Sequence, residues 1–130
     1  MTPDETAAPD GRLRVLILDD SRDDAELTEL ALADAGLAVD VRTVHGEAGL
    51  REALQAFAPQ LLLSDVNLPG FSGAEALELT RALRPGVPVL FLTGSAIGMP
   101  GEELPVGDGL VYKDELDRLP DAVREVLPTV

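Results

Sequence analysis

Leu61-Leu62-Leu63-Ser64-Asp65-Val66-Asn67-Leu68-Pro69-Gly70-Phe71-Ser72-Gly73 is the stretch that decides the fold. Three apolar residues run straight into a carboxylate. A short continuous apolar run bounded by turn residues reads as a strand buried on both faces, as inside a parallel sheet. Asp65 then stands at the carboxyl end of a central strand, where open α/β sheets build their sites. Pro69-Gly70 is a turn signal, and Ser72 with Glu75 three residues later is a capping box that opens a helix.

Toward the N-terminus, Leu13 to Leu18 is a second apolar run, and it ends in Asp19-Asp20. A helix is expected from Asp23 to Ala35, with Asp23 and Glu26 as its capping pair. Leu27, Ala31 and Ala35 should share a face, and Gly36 should take the C′ position. Val39 to Val44 alternates apolar and polar residues, the pattern of an edge strand. Glu47 to Phe57 places Leu50, Ala53, Leu54 and Phe57 at helical spacing before Pro59.

Toward the C-terminus, a helix from Gly73 to Arg84 is stopped by Pro85-Gly86. Val87 to Leu92 is a third continuous run, closing on Thr93. Leu110 to Tyr112 is a short last strand closing on Lys113. A final helix should begin at Pro120 and run to Leu127, with Val123 facing inward.

Strands alternate with helices five times, without repeat or linker. The expected architecture is α/β, a doubly wound five-stranded parallel sheet in the order 2-1-3-4-5. Residues 1–11 are expected to form a disordered lead-in and residues 12–130 the domain. The tips that meet at the switch point carry Asp19, Asp20 and Asp65. One segment breaks the pattern. Between Gly94 and Gly109 the longest run free of glycine and proline is three residues. Proline costs a helix interior about 3 kcal/mol, so the fourth helix should be missing or about one turn.

Composition removes several function classes. Without cysteine there are no disulfides, thiolate metal sites or cysteine nucleophiles. A net charge of −14 disfavours nucleic acid and anionic membrane as partners. No stretch reaches transmembrane length, and the acidic start is no signal peptide, so a cytoplasmic protein is expected. Lys113 is the only lysine, and His45 and Tyr112 are also single copies.

Three carboxylates converging on one crevice repel each other unless a cation joins them. Oxygen-only donors with open solvent positions suit a small hard divalent ion, Mg²⁺ first. Lys113 arrives from a neighbouring strand end as a compact positive charge, and Thr93 offers a hydroxyl. A carboxylate nucleophile, a metal, an ammonium and a hydroxyl are the parts that stabilise a transferring phosphoryl group.

With Leu18-Asp19-Asp20-Ser21, Ser64 to Gly70, Leu92-Thr93-Gly94-Ser95 and Tyr112-Lys113-Asp114 in place, the chain from Leu13 to Leu127 resembles the receiver domain of bacterial two-component response regulators. The resemblance implies a flavodoxin-like fold and a stoichiometric phosphoacceptor rather than an enzyme. Asp65 would take a phosphoryl group from a sensor histidine kinase or a histidine phosphotransfer protein. Asp20 and Asp65 would ligate Mg²⁺ directly, Asp19 through water and Asn67 through its backbone carbonyl. Thr93 and Lys113 would bind phosphoryl oxygens. No effector module is expected after the last helix. Output is therefore expected through a downstream protein target, a phosphorelay or a second copy of the chain. Three departures stand out. Asp114 replaces the family's proline, which leaves open the cis peptide that usually follows the lysine. Leu110 occupies the aromatic switch position, for which Tyr112 has the right strand parity to substitute in part. The helix expected after Thr93 should be eroded.

Each residue alone has a plainer reading. Asp19-Asp20 could cap a helix, Asp65 could belong to a turn and Thr93 could satisfy backbone. Lys113 could be a solvated charge. Their joint placement, each at a strand's carboxyl end in the right order, overturns those readings. The plainer reading holds for His45 in its loop, for Asp23-Asp24 as helix-start charges and for Glu102-Glu103 as solvated loop. Two competing functions remain: an unphosphorylated scaffold that keeps the fold, and an aspartate-nucleophile phosphatase. The phosphatase would require an Asp-x-Asp pair, whereas here Asp65 is followed two on by Asn67.

Overall fold

Side chains alternate across a strand, so a strand apolar at every position must be covered on both faces. In the computed structural model, which describes residues 12–68, 70–94 and 107–127, β1 (Leu13–Leu18), apolar at every position but Arg14, does this directly. Leu13, Val15 and Ile17 enter one core, and Leu16 and Leu18 enter the other. β3 (Leu61–Asp65) and β6 (Val89–Thr93) follow the same rule, with Leu61, Leu63, Leu90 and Leu92 on the first side and Leu62, Val89 and Phe91 on the second.

Four α-helices among the described residues cover these faces. α1 (Arg22–Asp34) and α4 (Leu119–Val126) bury Ala25, Leu32, Leu119 and Val123 on the first. α2 (Glu47–Ala56) and α3 (Gly73–Leu83) bury Leu50, Ala53, Leu54 and Ala76 on the second. Each fully buried leucine contributes about 1.5–3 kcal/mol.

β2 (Val39–Val44), half-exposed along its length, lies at one edge of the sheet, and β7 (Gly109–Tyr112) lies at the other. All the pairings between these five strands are parallel, and the order is β2-β1-β3-β6-β7. This is the expected doubly wound sheet. The chain leaves β1 toward β2 but enters β3 on β1's other side, so the crevice opens at the carboxyl ends of β1 and β3.

Several local expectations need correction. The N-cap of α1 is Ser21, whose hydroxyl accepts the Asp24 N–H at 3.2 Å; Asp23 lies inside the first turn. The inward face of α1 is Ala25, Thr28 and Leu32, while Leu27 is 54% exposed and Leu30 55%. The helix meets the sheet one residue further round than the Leu27 spacing suggests, because Thr28 satisfies its hydroxyl on the Asp24 carbonyl and can be buried. Gly36 does sit just past the helix at φ +82°, a conformation natural to glycine.

Between β3 and α3, β4 (Asn67–Leu68) and β5 (Phe71–Ser72) pair antiparallel around Gly70, a small hairpin absent from the sequence reading. The Ser72–Glu75 capping box forms as expected. A 3-10 segment, Lys113–Arg118, precedes α4, which begins at Leu119 with Pro120 in its first turn. No described peptide bond is cis, Lys113–Asp114 included. The expectations for the lead-in and for an eroded fourth helix fall at 1–11 and 95–106, outside the described residues.

Candidate functional site

The carboxyl ends of β1 and β3 are neighbours because Leu18 pairs with Ser64. One residue further along each strand, Asp19 and Asp65 therefore lie side by side. Asp19 is 1% exposed, and both of its oxygens are engaged. Oδ1 accepts the Ser21 N–H at 2.9 Å and Oδ2 accepts from Lys113 Nζ at 2.9 Å. Burial raises this carboxyl above the ordinary value of 3.8. The Ser21 N–H and the Lys113 ammonium pull the other way, and the Asp65 charge adds to the rise. Asp20, next along, is exposed.

Lys113 follows directly on β7, two strands away from β3, and its long stem carries the ammonium back into the crevice. Nζ lies 3.2 Å from Asp65 Oδ2, 2.9 Å from Asp19 Oδ2 and 2.8 Å from Asp24 Oδ2. The side chain is 14% exposed, as is that of Asp65. Burial disfavours the charged amine, but the hydrogen bonds it donates to Asp24 and then Asp19, with the charges of Asp65 and Asp19, outweigh it. Lys113 is consequently held protonated above its ordinary value.

Thr93 closes β6, is buried, and pairs in register with Tyr112, the residue before Lys113. The backbone of Asn67 lies two residues beyond Asp65, in the β4–β5 hairpin. All the predicted positions therefore fall at or just past the carboxyl ends of strands. The structure draws Asp19, Asp20, Asp65 and Lys113 into one cluster.

Two residues of that neighbourhood escaped the sequence reading. Asp24 pairs with Lys113 across the start of α1 rather than serving only the helix dipole. His45 Nδ1 lies 3.1 Å from the Asp19 carbonyl oxygen. A carbonyl only accepts, so the ring donates from Nδ1 and braces the loop after β1. Asp24 lies four residues after Asp20, on the first turn of the helix that leaves the acidic pair. That spacing was the available signal. Nothing in the sequence around His45 pointed to its role.

Carboxylate oxygens of Asp19, Asp20 and Asp65 lie within 4.8 Å of one another. Of these, Asp19 and Asp65, together with Asp24, face the Lys113 ammonium. An oxygen-only set with an exposed member and excess negative charge fits a small hard cation that keeps several waters, which is the chemistry of Mg²⁺.

The family model of the response regulator receiver domain matches residues 15–124. The transcriptional regulatory protein TctD of Salmonella typhimurium is 33% identical over 118 residues, covering 88% of this chain and 52% of TctD. The DNA-binding transcriptional regulator NtrC of Escherichia coli is 35% identical over 79 residues, covering 61% of this chain and 16% of NtrC. The chain thus spans about half or less of the length of these curated relatives. Among solved structures, a putative response regulator from Chloroflexus aurantiacus superposes with a TM-score of 0.71 at 28% identity, covering 90% of this chain and 98% of that one. The receiver domain of the Erythrobacter litoralis PhyR response regulator shares the fold, with a TM-score of 0.73 at 24% identity, covering 92% and 93%. The family match takes in β1 through most of α4, so sheet, helices and acidic crevice all lie inside it. This chain belongs to the response regulator receiver domain family of bacterial two-component systems.

Proposed function

We propose that Asp65 is a phosphoacceptor and that this chain works as a phosphorylation switch or relay. The observation that carries the reading is the Lys113 ammonium 3.2 Å from Asp65 Oδ2, beside the acidic cluster. Receiver domains take their phosphoryl group from kinases or phosphotransfer proteins. In this chain an Asp65 oxygen would attack the phosphorus of a phosphohistidine. The O–P bond forms as the N–P bond breaks, and the electron pair of the broken bond returns to the imidazole nitrogen.

Asp20 and Asp65 would hold Mg²⁺ directly, Asp19 through water and Asn67 through its carbonyl. When bound, the ion would neutralise charge on the phosphoryl oxygens. Lys113 and the Thr93 hydroxyl would donate to those oxygens. Lys113 is already directed at the acceptor, so little reorganisation is needed as charge develops. The exposed Leu27 and Leu30 on α1, the helix that starts beside the crevice, would give a histidine-bearing partner an apolar foothold. Such a donor implies a cytoplasmic site of action. Output would pass to a downstream protein, to a second copy or to another histidine.

Incubation with acetyl phosphate and Mg²⁺ tests the reading by intact mass. One phosphoryl group per chain is expected, with none on Asp65→Asn. A folded wild type that gains no mass would point to a scaffold, and continuous turnover of external phosphomonoesters would point to a phosphatase.

A further inference from the structure

Lys113 Nζ has three protons to donate and meets three separate carboxylates. Two of them, Asp19 and Asp65, also belong to the set whose oxygens approach within 4.8 Å and suit a cation. The third, Asp24, does not, yet at 2.8 Å it is the shortest of the three contacts. A cation in the crevice competes with the amine for Asp19 and Asp65 and repels it. The Asp24 carboxylate stays outside that competition.

Asp24 is also held firmly. Its N–H donates to Ser21 Oγ at 3.2 Å and its carbonyl accepts the buried Thr28 hydroxyl at 2.9 Å. Ser21 in turn donates its N–H to Asp19 Oδ1. A closed ring results: Asp19 to Ser21, Ser21 to Asp24, Asp24 to Lys113 and Lys113 back to Asp19. It ties the loop after β1 and the first turn of α1 to the end of β7.

Building on the phosphoacceptor reading, we propose that Asp24 is a positioning residue for Lys113. It anchors the ammonium from α1, so that the amine stays within reach of the acceptor while cation and phosphoryl group occupy Asp19 and Asp65. Asp24 anchors rather than diverts the amine, because one Nζ position satisfies both it and Asp65.

The experiment uses the full chain with its lysine labelled at the ε carbon. Lys113 is the only lysine, so its ε-methylene signal needs no assignment. Rates of phosphorylation by acetyl phosphate with Mg²⁺ are compared for wild type, Asp24→Asn and Asp24→Glu. Misplacing a reacting group by an ångström can cost on the order of 100-fold. Asp24→Asn, which keeps a weaker neutral contact, should react on the order of tenfold more slowly yet still reach one phosphoryl per chain. Its two ε protons, distinct in an anchored amine, should become equivalent. Asp24→Glu should recover most of the rate and the splitting, which a role confined to helix packing would not produce.

A wild-type rate and unchanged signal in Asp24→Asn would overturn the proposal while leaving the acceptor reading intact. Equal loss in both variants, with a matching loss of thermal stability, would also overturn it. A wild type inert to acetyl phosphate would bring down the acceptor reading and this proposal with it.

Discussion

Lys113 is 14% exposed and bears three carboxylate partners, so its proton is bound more tightly in the folded protein than in the unfolded chain. The sign follows from linkage. A group whose folded value is raised adds stability in full below its unfolded value and loses it as pH rises through the folded one. In chelator, the urea midpoint should therefore fall as pH climbs beyond 10.5, the ordinary lysine value. Lys113→Met should be less stable by about 3 kcal/mol at neutral pH, as for removing one partner of a buried ion pair. It should also lose the alkaline decline specific to this amine. Parallel alkaline limbs in the two proteins would mean that another group is titrating. The lysine's address was readable in the sequence, since it is the only one and follows the last strand. Its partners were not: the amine was expected beside the acidic crevice, on phosphoryl oxygens, whereas its pairing with Asp19, Asp65 and Asp24 appears only in the fold.

α1 has two tasks, packing on the sheet and presenting Asp24. Both start from Ser21, which caps the helix and receives part of the Asp19 carboxylate's attention through its own N–H. Ser21→Ala should lower stability by about 1 kcal/mol, seen as a reduced urea midpoint with unchanged slope. Because the hydroxyl is one link of the ring to Lys113, the same variant should also phosphorylate more slowly. A full-rate, destabilised protein would separate the cap from the site. Element types were legible because their signals are local: continuous apolar runs for β1, β3 and β6, alternation for β2, and a capping box for α3. The face of α1 was misread for a physical reason. Thr28 is polar by composition, but it returns its hydroxyl to the Asp24 carbonyl and so is buried, while Leu27 is left half outside. The β4–β5 hairpin was missed because two-residue strands carry no periodicity.

For the molecule as a whole, the arrangement is a rigid sheet with unbalanced negative charge at one rim. A cation that binds the folded state and not the unfolded chain stabilises by mass action, about 2.7 kcal/mol at one hundred times its dissociation constant. Mg²⁺ should therefore raise the melting temperature, and Asp20→Asn should abolish most of the rise without disturbing the core, since Asp20 is exposed. An equal rise in that variant would place the ion elsewhere. Among the described residues no helix is long and apolar enough to cross a membrane. The strand order, the two-faced core and the positions of Asp19, Asp20, Asp65, Thr93 and Lys113 were determined by the sequence alone. Apolar runs specify burial locally, and right-handed crossovers leave few ways to stack them. Which acids grip the amine was decided only in three dimensions. A four-carbon stem can reach many places, and the distances that select Asp24 and Asp19 run between loops remote along the chain, where no local pattern records them.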